Sequence, residues 1–270
     1  MSTLQSSNPA LNEATLRGGD WWSDTTAHET ATISGIVNKT GLFAMVLAIS
    51  GAGGYALIQA KPWMLMPLLM ISLVATLGSF FLIRGSARAA RNLGFVYSIA
   101  QGLLLGGMAM MLDGQLAARG IAVAGGIAVQ AFVVTVGCLA SMLILYRAKI
   151  LTGGPIFQRV IAVATVGVFV AVMLSFVLSL FGVDTVIFNL GSAFSTGSGG
   201  WIGLGVTGAI LILASLWLII DFRRAEELVA SGAPREAEWY VSFGLIVTIA
   251  WIYLEALKLV FYLTALTNRE

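Results

Sequence analysis

The last apolar stretch of the chain, residues 240–266, constrains the fold most strongly. It reads YVSFGLIVTIAWIYLEALKLVFYLTAL and includes one carboxylate, Glu255, and one amine, Lys258. It exceeds the roughly 20 helical residues that cross a hydrocarbon core of about 30 Å. Its small, polar and charged residues recur at steps of three and four, so they form one stripe along a helix. A charged side chain at membrane depth must face protein or water. This helix is therefore expected to lie inside a bundle.

The composition of the whole chain is typical of a membrane protein. Apolar residues make up 58% of it and charged residues 10%, whereas an ordinary soluble domain is about 25% charged. The net charge of +2 is too small to suggest a nucleic-acid partner. The single Cys138 lies in an apolar run and the only histidine, His28, in a polar segment. No disulfide framework and no cysteine-ligated metal site is therefore expected.

The chain is expected to comprise two parts. Residues 1–40 are polar and lack the basic-then-apolar pattern of a cleaved signal peptide, so we expect a largely disordered cytoplasmic tail. Residues 41–270 are expected to form an all-α transmembrane domain, a bundle of seven helices. The seven apolar spans are residues 41–60, 62–83, 93–112, 121–146, 160–183, 201–220 and 240–266.

Basic residues predict the orientation of these spans. With the N-terminus inside, eleven of the 15 Lys and Arg residues fall on the inner side, and only Lys61, Arg119 and Arg269 fall on the outer side. This asymmetry follows the positive-inside rule. It predicts a multi-pass protein with a cytoplasmic N-terminus and a C-terminus outside.

No enzyme signature is present in the sequence. It has no H-E-x-x-H motif, no P-loop, and no histidine within the spans that could serve a serine as base. We therefore expect no enzyme, no cofactor and no metal site. Four charged groups at or within the bilayer remain as candidates for function: Arg84, Asp221, Glu255 and Lys258.

Asp221 and Arg84 each end a span at the predicted inner boundary. Asp221 lies in WLIIDFRRAEELVASG, at the end of the sixth span, and Arg84 lies in FFLIRGSARAAR, at the end of the second. At equal depth the two could form a bidentate ion pair. The alternative is that each is an interfacial charge, with Asp221 neutralised by Arg224 on its own helix.

Several tracts together resemble a known family. They are Asp221 within LIID, the short charged hairpin after it, Tyr253-Leu254-Glu255, Phe95-Val96-Tyr97 at the start of the third span, and Arg84. This pattern resembles the transmembrane Bax inhibitor motif family (Bax inhibitor-1-like). Two further tracts resemble the bacterial branch of this family. They are GAPREAEWYVSFGLIVTIAWIYLEALKL and, just before the first apolar span, VNKT.

The resemblance implies both a fold and a function. The last of seven helices is enclosed by the other six, and two carboxylates on helices six and seven share a proton. With an arginine of helix two they gate a pH-sensitive calcium leak. Carried over, the carboxylates are Asp221 and Glu255, and the arginine is Arg84. Two carboxylates in a low-dielectric site cannot both ionise cheaply, so protonation would bias a two-state element. The resemblance thus implies a calcium leak of the bacterial inner membrane.

The sequence departs from the family pattern around the second carboxylate. Glu255 stands where the family usually has Asp, and Lys258, one turn further, is placed to modulate its charge. A helix that begins at Tyr240 places Glu255 about 22 Å deep. Contact with Asp221 would require helix six to continue about two turns beyond that residue.

Two other functions remain open from the sequence. Seven spans with Lys258 in the last are also found in retinal proteins, where such a lysine forms a Schiff base. The third span, however, has no acid at mid-depth to act as its counter-ion, since Asp113 lies at the end of the span. The second alternative, suggested by the family name, is a non-conducting regulator. It would bind other membrane proteins, such as proteases or death-pathway proteins.

Overall fold

The computed structural model describes residues 29–83, 86–183 and 199–268. Arg84, and the predicted tail as far as residue 28, lie outside the described residues. The prediction of a disordered tail therefore stays a prediction for residues 1–28, whereas residues 33–40, which the predicted tail also included, are helical.

The described residues contain seven long helices, each long and apolar enough to cross a membrane. Short 3₁₀ turns at Pro62–Met64 and Arg235–Ala237 precede the second and the seventh. Apart from one isolated antiparallel bridge, between Thr30 and Pro234, these residues form no β-structure. The predicted all-α, seven-helix transmembrane fold is confirmed. The helices are α1 (Ile33–Ala60), α2 (Leu65–Leu82), α3 (Ala87–Ala117), α4 (Gly126–Arg147), α5 (Pro155–Leu180), α6 (Gly199–Ala230) and α7 (Glu238–Thr267).

Two helices extend beyond the apolar spans that predicted them. α1 begins at Ile33, because Thr32 has extended backbone and its side chain accepts a hydrogen bond from the Gly35 N–H. α6 continues past Asp221 to Ala230, since AEELVA consists mainly of good helix formers. It ends before Gly232, which has a φ of +70° and so suits a left-handed helix terminus. Helix six thus continues beyond Asp221, as a contact with Glu255 would require, and the contact itself stays a prediction.

The described chain divides into two compact units. The first comprises the residues up to Met110 together with Asp221–Val247, and the second comprises Met111–Ile220 together with the residues from Thr248 onward. Three helices, α3, α6 and α7, contribute residues to both units.

α7 is the most buried of the seven helices among the described residues. Over its most apolar part 56% of the residues are buried, against 12–17% in α1, α2, α4 and α5. Ile246 in the first unit and Phe261 in the second are completely buried. The less buried helices expose large apolar side chains such as Ile49, Val74 and Val163, as helices that face lipid do. This burial is what a helix inside a bundle requires, and the enclosure of α7 by the other six helices stays a prediction.

In the first unit, α1 and α3 pack at very close range. A Cβ atom on Gly106 would lie 1.8 Å from the carbonyl oxygen of Gly51, and one on Gly54 would lie 2.1 Å from that of Leu103. Only glycine fits at such contacts, which is how small residues allow transmembrane helices to approach. α3 carries a G-x-x-x-G pattern, Gly102 to Gly106, and these contacts show that it is used for helix packing.

In the second unit, polar contacts fix the ends and faces of the helices. Asp113, near the end of α3, accepts a hydrogen bond of 2.9 Å from the Ile127 N–H in the first turn of α4. The indole N–H of Trp217 on α6 donates to Thr165 Oγ1 on α5 at 2.8 Å. Such paired polar groups join helices without leaving a donor unsatisfied in the apolar interior.

Candidate functional site

Glu255 is a buried carboxylate in the middle of α7. The residue is 3% exposed, and its Oε1 accepts a hydrogen bond of 2.6 Å from Lys258 Nζ, one turn further along the helix. Trp251, one turn earlier, makes an additional polar contact with the carboxylate. Oε2 accepts no hydrogen bond of standard geometry from the described residues. The carboxylate thus forms its ion pair through Oε1, inside a membrane-spanning helix.

Tyr253, two residues before Glu255, attaches α7 to α4. Its hydroxyl donates to the carbonyl oxygen of Ala128 at 3.3 Å, in the first turn of α4, which Asp113 caps. The sequence singled out Tyr253 only as part of a motif and Asp113 only as an acid at a span end. Their placement beside the same helix terminus is a finding of the structure. It fixes the register of α7 one half-turn from the buried carboxylate.

Asp221 lies within α6, in the first unit, and is also buried. The residue is 6% exposed, and its Oδ1 lies 3.7 Å from an Nη atom of Arg224, one turn further along the helix. The neighbouring Arg223 instead forms a 2.6 Å ion pair with the exposed Glu227. The pairing of Asp221 with Arg224 that the sequence offered as an alternative is therefore present. The position of Asp221 is nonetheless interior to the helix and not at its end.

The second predicted partner of Asp221, Arg84, lies outside the described residues. The Asp221–Arg84 pair therefore stays a prediction. What the structure establishes is a shared local arrangement: Asp221 on α6 and Glu255 on α7 each have a basic residue three positions later, within ion-pair distance.

Such an arrangement has a definite chemical capacity. A buried ion pair is stabilised by the match of its charges, and removing the charge of one partner strands the other in a medium of low dielectric constant. Protonation of either carboxylate is therefore coupled to the position of the cation beside it. Among the described residues, no group of three or more His, Cys, Asp and Glu side chains could hold a metal ion.

A third buried carboxylate, Glu238, was not a candidate from the sequence. It opens α7, its side chain is 1% exposed, and its Oε2 lies 2.7 Å from Lys39 Nζ. The tracts that contain Lys39 and Glu238 were both noted for their family resemblance. Nothing in either tract indicates that they meet, because 199 positions separate the two residues.

The family comparison agrees with the seven-helix membrane fold. A family model described as Bax inhibitor 1 like matches residues 8–265, which include all seven helices as far as the last turn of α7. Comparisons with curated proteins and with solved structures give no match. Because the family match covers nearly the whole chain, the resemblance inferred from the sequence is confirmed. The chain belongs to the Bax inhibitor 1 like family of membrane proteins.

Proposed function

We propose that this protein is a pH-sensitive cation leak, with calcium as the expected ion, in the plasma membrane of a bacterium. The observation that carries the proposal is the burial of Asp221 and Glu255 within transmembrane helices, each beside a basic residue one turn further along. Ionisable residues inside a membrane are costly and are found mainly where ions, protons or ligands are handled. Membership of the family adds the expectation of a leak, and no catalytic activity is proposed.

Gating in this proposal follows from the two ion pairs. When a carboxylate takes up a proton, its attraction for Arg224 or Lys258 is lost, and the unpaired cation favours a conformation in which it reaches water or another acceptor. A ligand or proton shifts a two-state equilibrium only through its different affinity for the two states. The buried carboxylates supply that difference, since their cost of ionisation changes with the position of the neighbouring cation.

The proposed test is calcium flux into proteoliposomes that contain a fluorescent calcium indicator, measured from acidic to alkaline pH. The wild-type protein should show flux that depends on pH, and Asp221→Asn and Glu255→Gln should flatten that dependence. Glu227→Gln is the matched control, because Glu227 also pairs with an arginine on α6 but is exposed.

Protein-free vesicles, with and without a calcium ionophore, define the lower and upper limits of the signal. If folded wild-type protein gives no more flux than protein-free vesicles at every pH, the leak proposal is overturned. The non-conducting regulator would then be the function to test, by co-purification in mild detergent.

A further inference from the structure

The segment that precedes α1 lies against the connection between α6 and α7. We call residues 29–32 the strap. Thr30 forms an antiparallel bridge with Pro234, the Ala31 N–H donates to the Ala233 carbonyl oxygen at 2.7 Å, and the Arg235 N–H donates to the Glu29 carbonyl oxygen at 2.8 Å. The strap thus pairs with the chain just before α7 as an extra strand would.

Glu238, the first residue of α7, is the anchor of this strap. Its Oε1 accepts hydrogen bonds from the Thr32 N–H at 2.8 Å and from Thr32 Oγ1 at 3.2 Å, and its Oε2 accepts from Lys39 Nζ at 2.7 Å. The carboxylate lies so close to α1 that a Cβ atom on Gly35 would come within 2.1 Å of it. One buried carboxylate therefore binds both the strap and the first turns of α1.

The same region joins the first turns of α1 and α7 by further contacts. Lys39 Nζ lies 5.0 Å from the ring centre of Trp239 and donates to the Arg235 carbonyl oxygen at 3.0 Å. The hydroxyl of the buried Ser242 donates to the Ile36 carbonyl oxygen at 3.0 Å. The residues that α1 contacts lie before and after Glu238 in the chain. The start of α7 is therefore fixed by contacts with the beginning of α1 as well as with the strap.

We propose that the strap and Glu238 form a latch through which the segment before α1 controls the stability of the first turns of α7. Displacing the strap removes the Thr32 donors from a carboxylate that is almost completely buried, and a buried charge needs its full set of hydrogen bonds. The effect of a partner or a force that acts on the N-terminal segment is thereby transmitted to α7. Coupling of this kind is reciprocal, so a change at Glu238 also loosens the strap. The latch uses contacts of the first unit only and does not rest on the proposed leak.

Hydrogen exchange of the full-length protein in detergent, read by mass spectrometry, tests the latch from the strap side. Ala31→Pro removes the N–H that bonds to Ala233. It should raise exchange of amides 242–246, in the first turns of α7, by about two- to tenfold, the range expected for the loss of one hydrogen bond. The control is Ile33→Pro, because position 33 is the first of α1 and Thr32 already has the extended backbone that precedes a proline, with φ −130° and ψ 150°. It should leave α7 unchanged.

The reverse experiment substitutes Glu238 and measures hydrogen exchange in the strap. Glu238→Gln should raise exchange of the Ala31 and Thr32 amides, whereas Glu236→Gln, two residues earlier and exposed, should not. Faster exchange in the strap of Ala31→Pro without any change in α7 would overturn the latch. If Ala31→Pro unfolds the protein, exchange will be faster throughout α5 as well. The latch is then tested by Glu238→Gln alone. Unchanged strap exchange in a folded Glu238→Gln protein would also overturn it.

Discussion

Lys258 Nζ lies 2.6 Å from Glu255 Oε1 on the same face of α7, and the Glu255 side chain is only 4% exposed. An exposed pair of this kind contributes little to stability. Here the carboxylate is buried, and its second oxygen accepts no hydrogen bond of standard geometry from the described residues. The pair is therefore expected to contribute to stability, and in the proposed leak Glu255 is also the proton-sensitive group. Mutation can separate the two roles.

The stability role predicts strong coupling between the two residues. Glu255→Gln and Lys258→Met should each lower the free energy of unfolding by about 3–5 kcal/mol, because each strands its partner, and the double variant should recover most of the loss. The measurement is thermal or denaturant unfolding in detergent. The exposed pair Arg223–Glu227 is the control, since Glu227→Gln should change stability by no more than about 0.5 kcal/mol. Additive losses in the double variant would contradict a coupled buried pair.

The proton-sensing role predicts a different result for the same variants. If Glu255 is the sensor, Glu255→Gln should abolish the pH response of calcium flux whatever residue occupies position 258. The Glu255→Gln, Lys258→Met protein should regain stability but not the pH response. The measurement is calcium flux across pH for Glu255→Gln, Lys258→Met and the double variant. Recovery of both stability and pH-dependent flux in the double variant would remove Glu255 from the gate.

Asp221 is expected to hold the leak closed at neutral pH. Asp221→Asn removes the charge that faces Arg224 and the group that can take up a proton, so flux at neutral pH should rise and its pH dependence should flatten. Glu227→Gln on the same helix serves as the control. Flux and pH response equal to those of the wild type would make Asp221 a structural partner of Arg224 only.

The glycines of α3 differ in what surrounds them, and this predicts opposite effects of one substitution. Gly106→Ala places a methyl group against the Gly51 backbone, which cannot move aside without shifting α1. It should therefore lower the unfolding temperature measured in detergent. Gly114→Ala, on the same helix with nothing within 4 Å of the added atom, should be neutral or raise stability by up to about 1 kcal/mol through helix propensity. Equal effects of the two substitutions would contradict the close packing of α1 and α3.

The orientation predicted from the Lys and Arg distribution is tested by reporter fusions. A reporter that is active only outside the cytoplasm should be active when fused after Glu270, because seven spans with a cytoplasmic N-terminus place the C-terminus outside. The same reporter fused in the segment between α6 and α7 should be inactive. Activity at that internal position, with none at the C-terminus, would reverse the predicted orientation.

Local sequence rules determined a large part of this protein. The seven spans could be read directly because the thickness of the hydrocarbon core sets the length of an apolar helix. Asp221, Glu255 and Lys258 stood out because charges are rare in such spans. The two intrahelical pairs also follow from spacing alone, since residues three apart lie on one face of a helix. The polar start of α1 was missed because ISGIVNKT is not apolar, although the Thr32 cap is itself a local signal.

Only the tertiary structure decided which distant residues meet. The contacts of Glu238 with Thr32 and Lys39, and of Gly106 with Gly51, join segments far apart in the chain. No helical period or cap relates such residues, because each contact depends on how neighbouring helices pack and in what register. The sequence by itself therefore determined the helices and the charges they hold. Packing decided that the buried carboxylate at the start of α7 binds the segment that precedes α1.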